Sequence, residues 1–244
     1  MPLKAIVRRL PGYRQLRPLL RDDQSRITSA WLVVREIYME RGSGQTVLDL
    51  GCGEGTSLDW FLRLDPSVRW HGVDIEDSPE VRARAQADPR MSGFDGVHLP
   101  YGDASFDIVF CHQVYEHVRR PLDLIGEVRR VLKPGGIFVG SVAYLEPYHS
   151  YSLFNLTPYG MAYVMEHGGL APQRLMHSSD AFYKIFRQLF GGARLWSVFW
   201  KFSPLYLLIH ILGSLAGLDK QDINLLKIQY AGAFCFVGRR PDVP

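Results

Sequence analysis

The sequence has few cysteines and no long apolar run. Cys52, Cys111 and Cys235 are widely spaced and form no C-x-x-C pair, so we expect reduced thiols and neither a zinc site nor a disulfide framework. The longest apolar stretch, Pro204 to Leu218, is interrupted by His210 and is shorter than the roughly 20 residues that span a membrane. The basic start of the chain lacks the apolar stretch of a signal peptide. These absences predict a cytoplasmic protein.

A strong excess of charge of one sign is also missing. The chain has 28 Lys and Arg against 25 Asp and Glu, for a formal charge of +3. This balance provides no clustered basic face of the kind that binds nucleic acid. With 47% hydrophobic and 22% charged residues, the composition excludes long disorder, collagen and a coiled coil. The 244 residues can fill one large α/β domain.

Short apolar, β-rich runs alternate with amphipathic segments in the first part of the chain. The predicted strands are Thr46–Leu50, Val68–Val73, Met91–Phe94, Phe106–Cys111 and Ile137–Val142. The predicted helices between them are Thr56–Leu64, Pro79–Ala87 and Pro121–Leu132. This alternation indicates βαβ units and therefore a doubly wound, mostly parallel sheet.

The flanking segments complete a prediction of seven strands. Residues 1–44 are expected to form an N-terminal helical cap, and residues 45–178 with 227–240 the α/β core. Thr157 and Pro158 predict a helix start, and the sixth and seventh strands are expected at 174–177 and 231–237. Residues 179–226 are read as a helical insertion before the last strand.

Three alternating glycines, Gly51, Gly53 and Gly55, separate the first strand from its helix. Glycine lets a backbone approach a ligand closely, and a helix start offers N–H groups. Alone, the pattern fits dinucleotides, nucleotides and structural turns; a dinucleotide fingerprint would require Gly or Ala where Thr56 stands. Asp49, inside the preceding strand, is a buried carboxylate that the ammonium group of a ligand could pair with.

Two further carboxylates follow strands that end at the same edge of the sheet. Asp74 lies about twenty residues beyond the glycines, where a carboxylate accepts hydrogen bonds from a ribose diol. Asp95 could accept from an exocyclic amine. An ammonium group, a ribose and an adenine together describe S-adenosylmethionine.

These motifs resemble those of class I S-adenosylmethionine-dependent methyltransferases of the type 11 group. Val47–Gly55 (VLDLGCGEG) is similar to their first motif, and Asp95–Val109 resembles the segment around their third and fourth strands. Glu116-His117-Val118 and Arg130–Gly136 (RVLKPGG) resemble two later motifs. The resemblance covers roughly residues 46–142 and implies a Rossmann-like methyltransferase fold with S-adenosylmethionine as cofactor.

The resemblance also implies which residues hold the cofactor. The methionine part would lie at Asp49, Gly51 and Gly53, the ribose at Asp74, and the adenine at Asp95 and Gly96. The full predicted set is Asp49, Gly51, Cys52, Gly53, Asp74, Ile75, Asp95, Gly96 and His112. Gly96-Val97-His98 departs from the small or acidic residues of relatives, which puts the adenine contact at Asp95 in doubt.

Methyl transfer to a hydroxyl also requires a base, and histidine titrates near neutral pH. His149 and His112 are the candidates, with His117 ranked below them; no metal cluster is visible. The predicted function is transfer to a small molecule, O-methylation of a sugar, polyketide or lipid-like acceptor. A non-catalytic ligand-binding protein of the same fold is the alternative. A nicotinamide-dependent oxidoreductase is a third reading, disfavoured by Thr56.

The insertion is rich in aromatic and leucine side chains. It could form helices packed on the core or on a second subunit, or an apolar lid over a hydrophobic acceptor. Arg187, Arg194 and Lys201 beside the aromatics would also suit peripheral contact with a membrane. Homo-oligomer formation stays open as well.

Overall fold

A seven-stranded sheet forms the centre of the molecule. The computed structural model describes residues 3–23, 27–84, 88–145, 151–191 and 202–242. The strands are β1 (Thr46–Leu50), β2 (Arg69–Ile75), β3 (Met91–Phe94), β4 (Phe106–His112), β5 (Leu132–Ala143), β6 (Ala171–His177) and β7 (Ala233–Arg239). They run in the order β3-β2-β1-β4-β5-β7-β6, which confirms the predicted seven-stranded α/β sheet.

Six strands of this sheet are parallel. β7 is antiparallel to both of its neighbours, β5 and β6, so β6 points in the same direction as β5. The carboxyl ends of β1, β2, β4, β5 and β6 therefore meet at one edge, where parallel α/β sheets bind ligands.

Helices cover both faces. They are α1 (Leu3–Val7), α2 (Tyr13–Leu16), α3 (Ala30–Arg41), α4 (Thr56–Leu64), α5 (Pro79–Arg82), α6 (Pro121–Val131), α7 (Pro158–His167), α8 (Ala181–Leu189), α9 (Pro204–Leu215) and α10 (Lys220–Gln229). Short 3-10 turns follow at Arg17–Leu19 and Tyr115–His117. Thr157 caps α7 by accepting from the Gly160 N–H at 2.9 Å, as its sequence predicts.

Two hydrophobic clusters lie on opposite faces of the sheet. One joins α6, α7 and α10 to the first helices of the chain, through residues such as Leu20, Ile125, Met161 and Ile223. The other joins α3 and α4, through residues such as Val34 and Phe61. Because both faces are covered, the central strands are buried along their length, which explains their continuous apolar character.

Several predicted boundaries were wrong. β2 and β4 continue through Asp74 and His112, because backbone pairing to the neighbouring strands persists past the apolar residues. β5 begins at Leu132, and the final strands occupy 171–177 and 233–239. The N-terminal segment is several short helices, interrupted at Pro11–Gly12, where Gly12 has φ 77°. Among the described residues, α5 ends at Arg82.

None of the helices in the described ranges is both long and apolar enough to cross a bilayer.

Candidate functional site

The glycine-rich turn after β1 is held by the backbone of β2. The N–H groups of Gly51 and Cys52 both donate to the carbonyl of Val73, at 2.8 and 3.1 Å. Gly51 has φ 78°, and a Cβ there would overlap the Val114 side chain. Glycine is therefore required at this position by both conformation and space. The turn leaves the backbone close to the edge at which β1 and β4 end.

Asp49 is buried in β1 beside this turn. Its carboxylate accepts a hydrogen bond from the Ser57 hydroxyl, which in turn accepts from the Trp70 indole N–H at 3.0 Å. The pKa of the Asp49 carboxyl is raised to about 7, mainly by burial; the bond from Ser57 opposes this shift and the nearby charge of Asp74 adds to it. The site thus contains a carboxyl that a neighbouring cation would ionise.

Asp74, in β2, connects the turn to the strand. Its carboxylate accepts from the backbone N–H of Gly53 and from its own neighbour Ile75, each at 2.7 Å. Burial raises the pKa of Asp74, while these two bonds oppose the shift. The structure therefore brings Asp49, Asp74 and the glycines together at one place, as the sequence predicts.

The predicted adenine contacts lie at the end of β3. Gly96 has φ 88°, and a Cβ there would lie 3.7 Å from the Ile75 side chain, so these two residues are neighbours. The Asp95 carboxylate accepts from the backbone of Val97 and His98 and lies 2.6 Å from the His98 ring Nδ1. This contact with His98 lowers the pKa of Asp95 and raises that of His98. Asp95 thus organises its own turn, and its role toward a cofactor stays a prediction.

His112 is the last residue of β4, at the same edge. Its Nδ1 lies 2.7 Å from the Ser141 hydroxyl of β5, and the Gln113 amide donates to the same hydroxyl at 3.3 Å. The His112 ring meets Trp31 edge-on, with centroids 5.8 Å apart. Gln113 has φ 59°, so the chain turns sharply directly after the histidine. These contacts fix the ring orientation.

The two other predicted histidines, His149 and His117, have different outcomes. His149 belongs to residues 146–150, outside the described residues. His117 is in the 3-10 turn after β4, where the adjoining Glu116 is fully buried. The Glu116 side chain accepts from the Ala143 N–H at 3.0 Å, and its carbonyl accepts from Leu153 at 2.7 Å. The Glu116-His117-Val118 motif therefore braces the end of β5.

Arg84 is a site residue that the sequence did not suggest. Its Nε donates to the Gly53 carbonyl at 2.7 Å, and its guanidinium donates to the Cys52 sulfur at 3.3 Å. Burial raises the pKa of Cys52 to about 12, so this thiol is neutral. No local motif marks Arg84, because its contact depends on where the chain returns after β2.

The insertion contributes an apolar cavity beyond β6. The cavity has a volume of about 400 Å³ and lies between α8 and α9. Its lining consists of Asp180, Phe182, Tyr183, Phe186, Pro204, Leu205 and Leu208. Within the parts of the chain that the structure describes, no group of three His, Cys, Asp or Glu residues is placed to hold a metal ion.

Comparisons with known proteins agree with this arrangement. Residues 48–140 match the family model of a methyltransferase domain. The chain is 38% identical over 111 residues to a protein described as a probable S-adenosylmethionine-dependent methyltransferase of Mycolicibacterium smegmatis, covering 45% of this chain and 42% of that one. It is 34% identical over 166 residues to an uncharacterized methyltransferase of Mycobacterium tuberculosis, covering 64% and 63%. These matches span less than two thirds of either relative.

A solved structure shows the same fold. The crystal structure of a SAM-dependent methyltransferase from Aquifex aeolicus superimposes with a TM-score of 0.52, covering 98% of each chain at 13% identity. The sheet order, the glycine turn and these matches support a class I S-adenosylmethionine-dependent methyltransferase domain of the type 11 group, which the family model matches over residues 48–140. This confirms the family, the Rossmann-like fold and the cofactor class that the motifs predict.

Proposed function

We propose that this chain transfers the methyl group of S-adenosylmethionine to a small molecule with an apolar body, most readily to an oxygen atom. The observation that carries the proposal is the convergence of Asp49, Asp74 and His112 around one glycine turn. A sugar, a polyketide and a lipid-like compound are the acceptor classes considered. The insertion favours the more apolar of these.

The residues present fit the cofactor. Gly51 turns the chain after β1 in a left-handed conformation, beside which the methionine part would lie, and the buried carboxyl of Asp49 would meet the ammonium group. Asp74 would accept from the ribose hydroxyls, exchanging its bond to the Gly53 N–H for bonds to the ligand. Ile75 and Gly96, side by side, would flank the adenine. The cofactor supplies a methyl group already activated on a sulfonium, so the protein need only position the acceptor and handle its proton.

His112 is the described residue best placed to take that proton. If its Nδ1–H donates to the Ser141 hydroxyl, the opposite ring nitrogen carries the basic lone pair. A base of this kind contributes about 10²–10⁴-fold in rate. His149, which follows β5 in the sequence, stays a predicted candidate base as well.

The exposed apolar faces of α8 and α9 support an apolar acceptor. The rings of Phe182 and Phe186 stack with centroids 6.0 Å apart, and Phe182 is 59% exposed. On α9, Leu208 is 53% exposed. An acceptor with an apolar body would cover these faces on binding.

The test combines cofactor binding with methyl transfer. Calorimetry should show binding of S-adenosylmethionine, weakened by Asp74→Asn about ten- to hundredfold. Asp77→Asn, whose side chain is 86% exposed three residues later, is the matched control and should bind normally. Incubation of the protein with methyl-labelled cofactor and a fractionated extract should place label in an organic-soluble product.

Two results would contradict the proposal. Absence of cofactor binding by the folded protein would remove the methyltransferase function altogether. Binding that depends on Asp74, without transfer to any acceptor fraction, would instead support the alternative of a non-catalytic ligand-binding protein with this fold.

A further inference from the structure

Asp180, at the junction of β6 and α8, is a buried carboxylate with one oxygen unsatisfied. The residue is 1% exposed. Its Oδ1 caps α8 by accepting from the Tyr183 N–H at 2.8 Å. Its Oδ2 has no hydrogen-bond partner among the described residues. A buried carboxylate oxygen without a donor is costly, so such an atom indicates a missing donor group.

The same residue lines the cavity between α8 and α9. Apart from Asp180 and the Tyr183 side chain, this cavity is lined by Phe, Leu and Pro residues. Its volume of about 400 Å³ lies within the range of small-molecule sites. Asp180 Oδ2 is itself closed to solvent, so a donor in the cavity reaches it only when the carboxylate or its neighbours shift on binding. An occupant that satisfies both features has a hydrogen-bond donor at one point and an apolar body beside it.

The charge of the surrounding chain disfavours a strongly cationic occupant. From Ala181 to Leu218 the sequence contains no Asp or Glu, while α8 itself carries Lys184 and Arg187. Among the described residues that line the cavity, Asp180 is the one acidic group. A neutral hydroxyl or amide N–H is the donor that this setting favours.

The cavity also lies at the edge where the cofactor site is found. β6 points in the same direction as β4, so α8 begins at the carboxyl edge of the sheet. Asp180 bridges to Ala231, and Leu145 donates to the Ala231 carbonyl at 3.3 Å, which joins this corner to the end of β5. Two strands separate β6 from β4, so the lateral distance is about 14 Å at about 4.8 Å per strand. A molecule that reaches both places must be elongated.

We propose that the groove between α8 and α9 binds the apolar part of an elongated, neutral amphiphile, whose hydroxyl or amide donates to Asp180 Oδ2, and that this amphiphile is the methyl acceptor. The last clause rests on the proposed methyl transfer; the binding site itself does not.

The binding test uses N-phenyl-1-naphthylamine, a neutral probe with one N–H whose fluorescence rises in apolar surroundings. The wild-type protein should bind it, and decan-1-ol should displace it at about tenfold lower concentration than 1-methoxydecane, which lacks the donor. In Asp180→Asn the amide oxygen can still accept from the Tyr183 N–H and cap α8. The amide NH₂ group then takes the place of Oδ2. This variant should lose or reverse the preference for the alcohol.

Two charge-introducing variants locate the probe. Phe186→Asp places a carboxylate in the groove lining and should abolish probe binding. Leu189→Asp, on the same helix but 73% exposed and outside the lining, should not change it. Circular dichroism and calorimetric cofactor binding should be unchanged in all three variants.

Other outcomes would overturn the inference. Equal displacement by the alcohol and the ether in the wild type would remove Asp180 from the site. Phe186→Asp and Leu189→Asp could instead lose probe binding equally, and both proteins could stop sedimenting with phosphatidylcholine–phosphatidylglycerol vesicles. That result would show a membrane-facing surface. The protein could also bind the probe as expected in every test and yet fail to bind S-adenosylmethionine. That result would support the binding groove and contradict the proposed methyl transfer.

Discussion

The ionisation of Asp49 makes the affinity for the cofactor depend on pH. Burial raises the pKa of this carboxyl to about 7. It is then about half ionised at pH 7 and only about 3% ionised at pH 5.5. An ammonium group beside it binds the ionised form, so we expect S-adenosylmethionine to bind more tightly as pH rises through this range.

The size of the effect follows from the same pKa. If the bound ammonium group shifts the pKa of Asp49 below 5.5, the Kd at pH 5.5 exceeds the Kd at pH 7 by about 16-fold, or about 1.6 kcal/mol. The range ends at pH 7 because an α-amino group has a pKa of about 7.7–8 and loses its own proton above that.

Calorimetry with two ligands separates Asp49 from its neighbours. 5′-Methylthioadenosine carries the ribose and the adenine but no ammonium group. Any pH dependence that arises at Asp74, whose pKa burial also raises, is therefore common to both ligands. We expect the additional 16-fold change only for S-adenosylmethionine. Asp49→Asn keeps an acceptor for Ser57 and should remove this additional change.

The ionisation of Asp49 does not itself favour unfolding at the lower pH. The folded-state pKa of Asp49 lies above its unfolded value, so its contribution to stability is greatest below about pH 4 and is lost as pH rises to 7. Asp49 therefore stabilises the fold more at pH 5.5 than at pH 7. An equal pH dependence for both ligands, or one that persists in Asp49→Asn, would refute an ammonium group at this carboxyl.

Three other substitutions test the site and its support. His112→Gln should lower kcat about 10²–10⁴-fold at saturating cofactor, and an unchanged kcat would remove His112 as the base. Gly51→Ala should destabilise the fold and weaken cofactor binding, because the added Cβ overlaps Val114. Adding Val114→Ala should recover part of the stability in denaturant titrations, and no recovery would contradict this overlap. Asp222→Ala should lower the free energy of unfolding by about 1.5–3 kcal/mol, because it removes the buried acceptor of Tyr13 and Arg17. A decrease of less than about 0.5 kcal/mol would contradict a stabilising role for these bonds.

Local sequence predicted which segments are strands but not where each strand lies. The apolar runs at β1, β2 and β4 are evident because both faces of these strands are buried. The place of β7 between β5 and β6 has no local signal, since it depends on pairing between residues such as Ser141 and Cys235. The polar side chains of Asp74 and His112 also hid the true ends of their strands, because backbone pairing does not require apolar residues.

The candidate site was predictable where it is built from one continuous motif. Gly51 to Gly55 are adjacent in sequence, so their turn could be inferred from the conformations that glycine allows. Arg84 and Ser141 reach the site from elsewhere in the chain, and their contacts arise only after the sheet has formed. Asp180 was missed for another reason: a helix cap is a sufficient explanation for an aspartate at that position, and only the structure shows its second oxygen unsatisfied.

The insertion divides into one helix that the core requires and two whose apolar faces remain exposed. α10 buries Ile223 and Ile228 in the main cluster, and its Asn224 donates to the Arg21 carbonyl at 2.8 Å. In contrast, Phe182 of α8 and Leu208 of α9, which line the cavity, are 59% and 53% exposed. Burial of the sheet therefore does not account for the apolar side chains of α8 and α9. Large apolar side chains exposed together on neighbouring helices indicate a binding surface, so the acceptor should be sought at these two helices and not at α10.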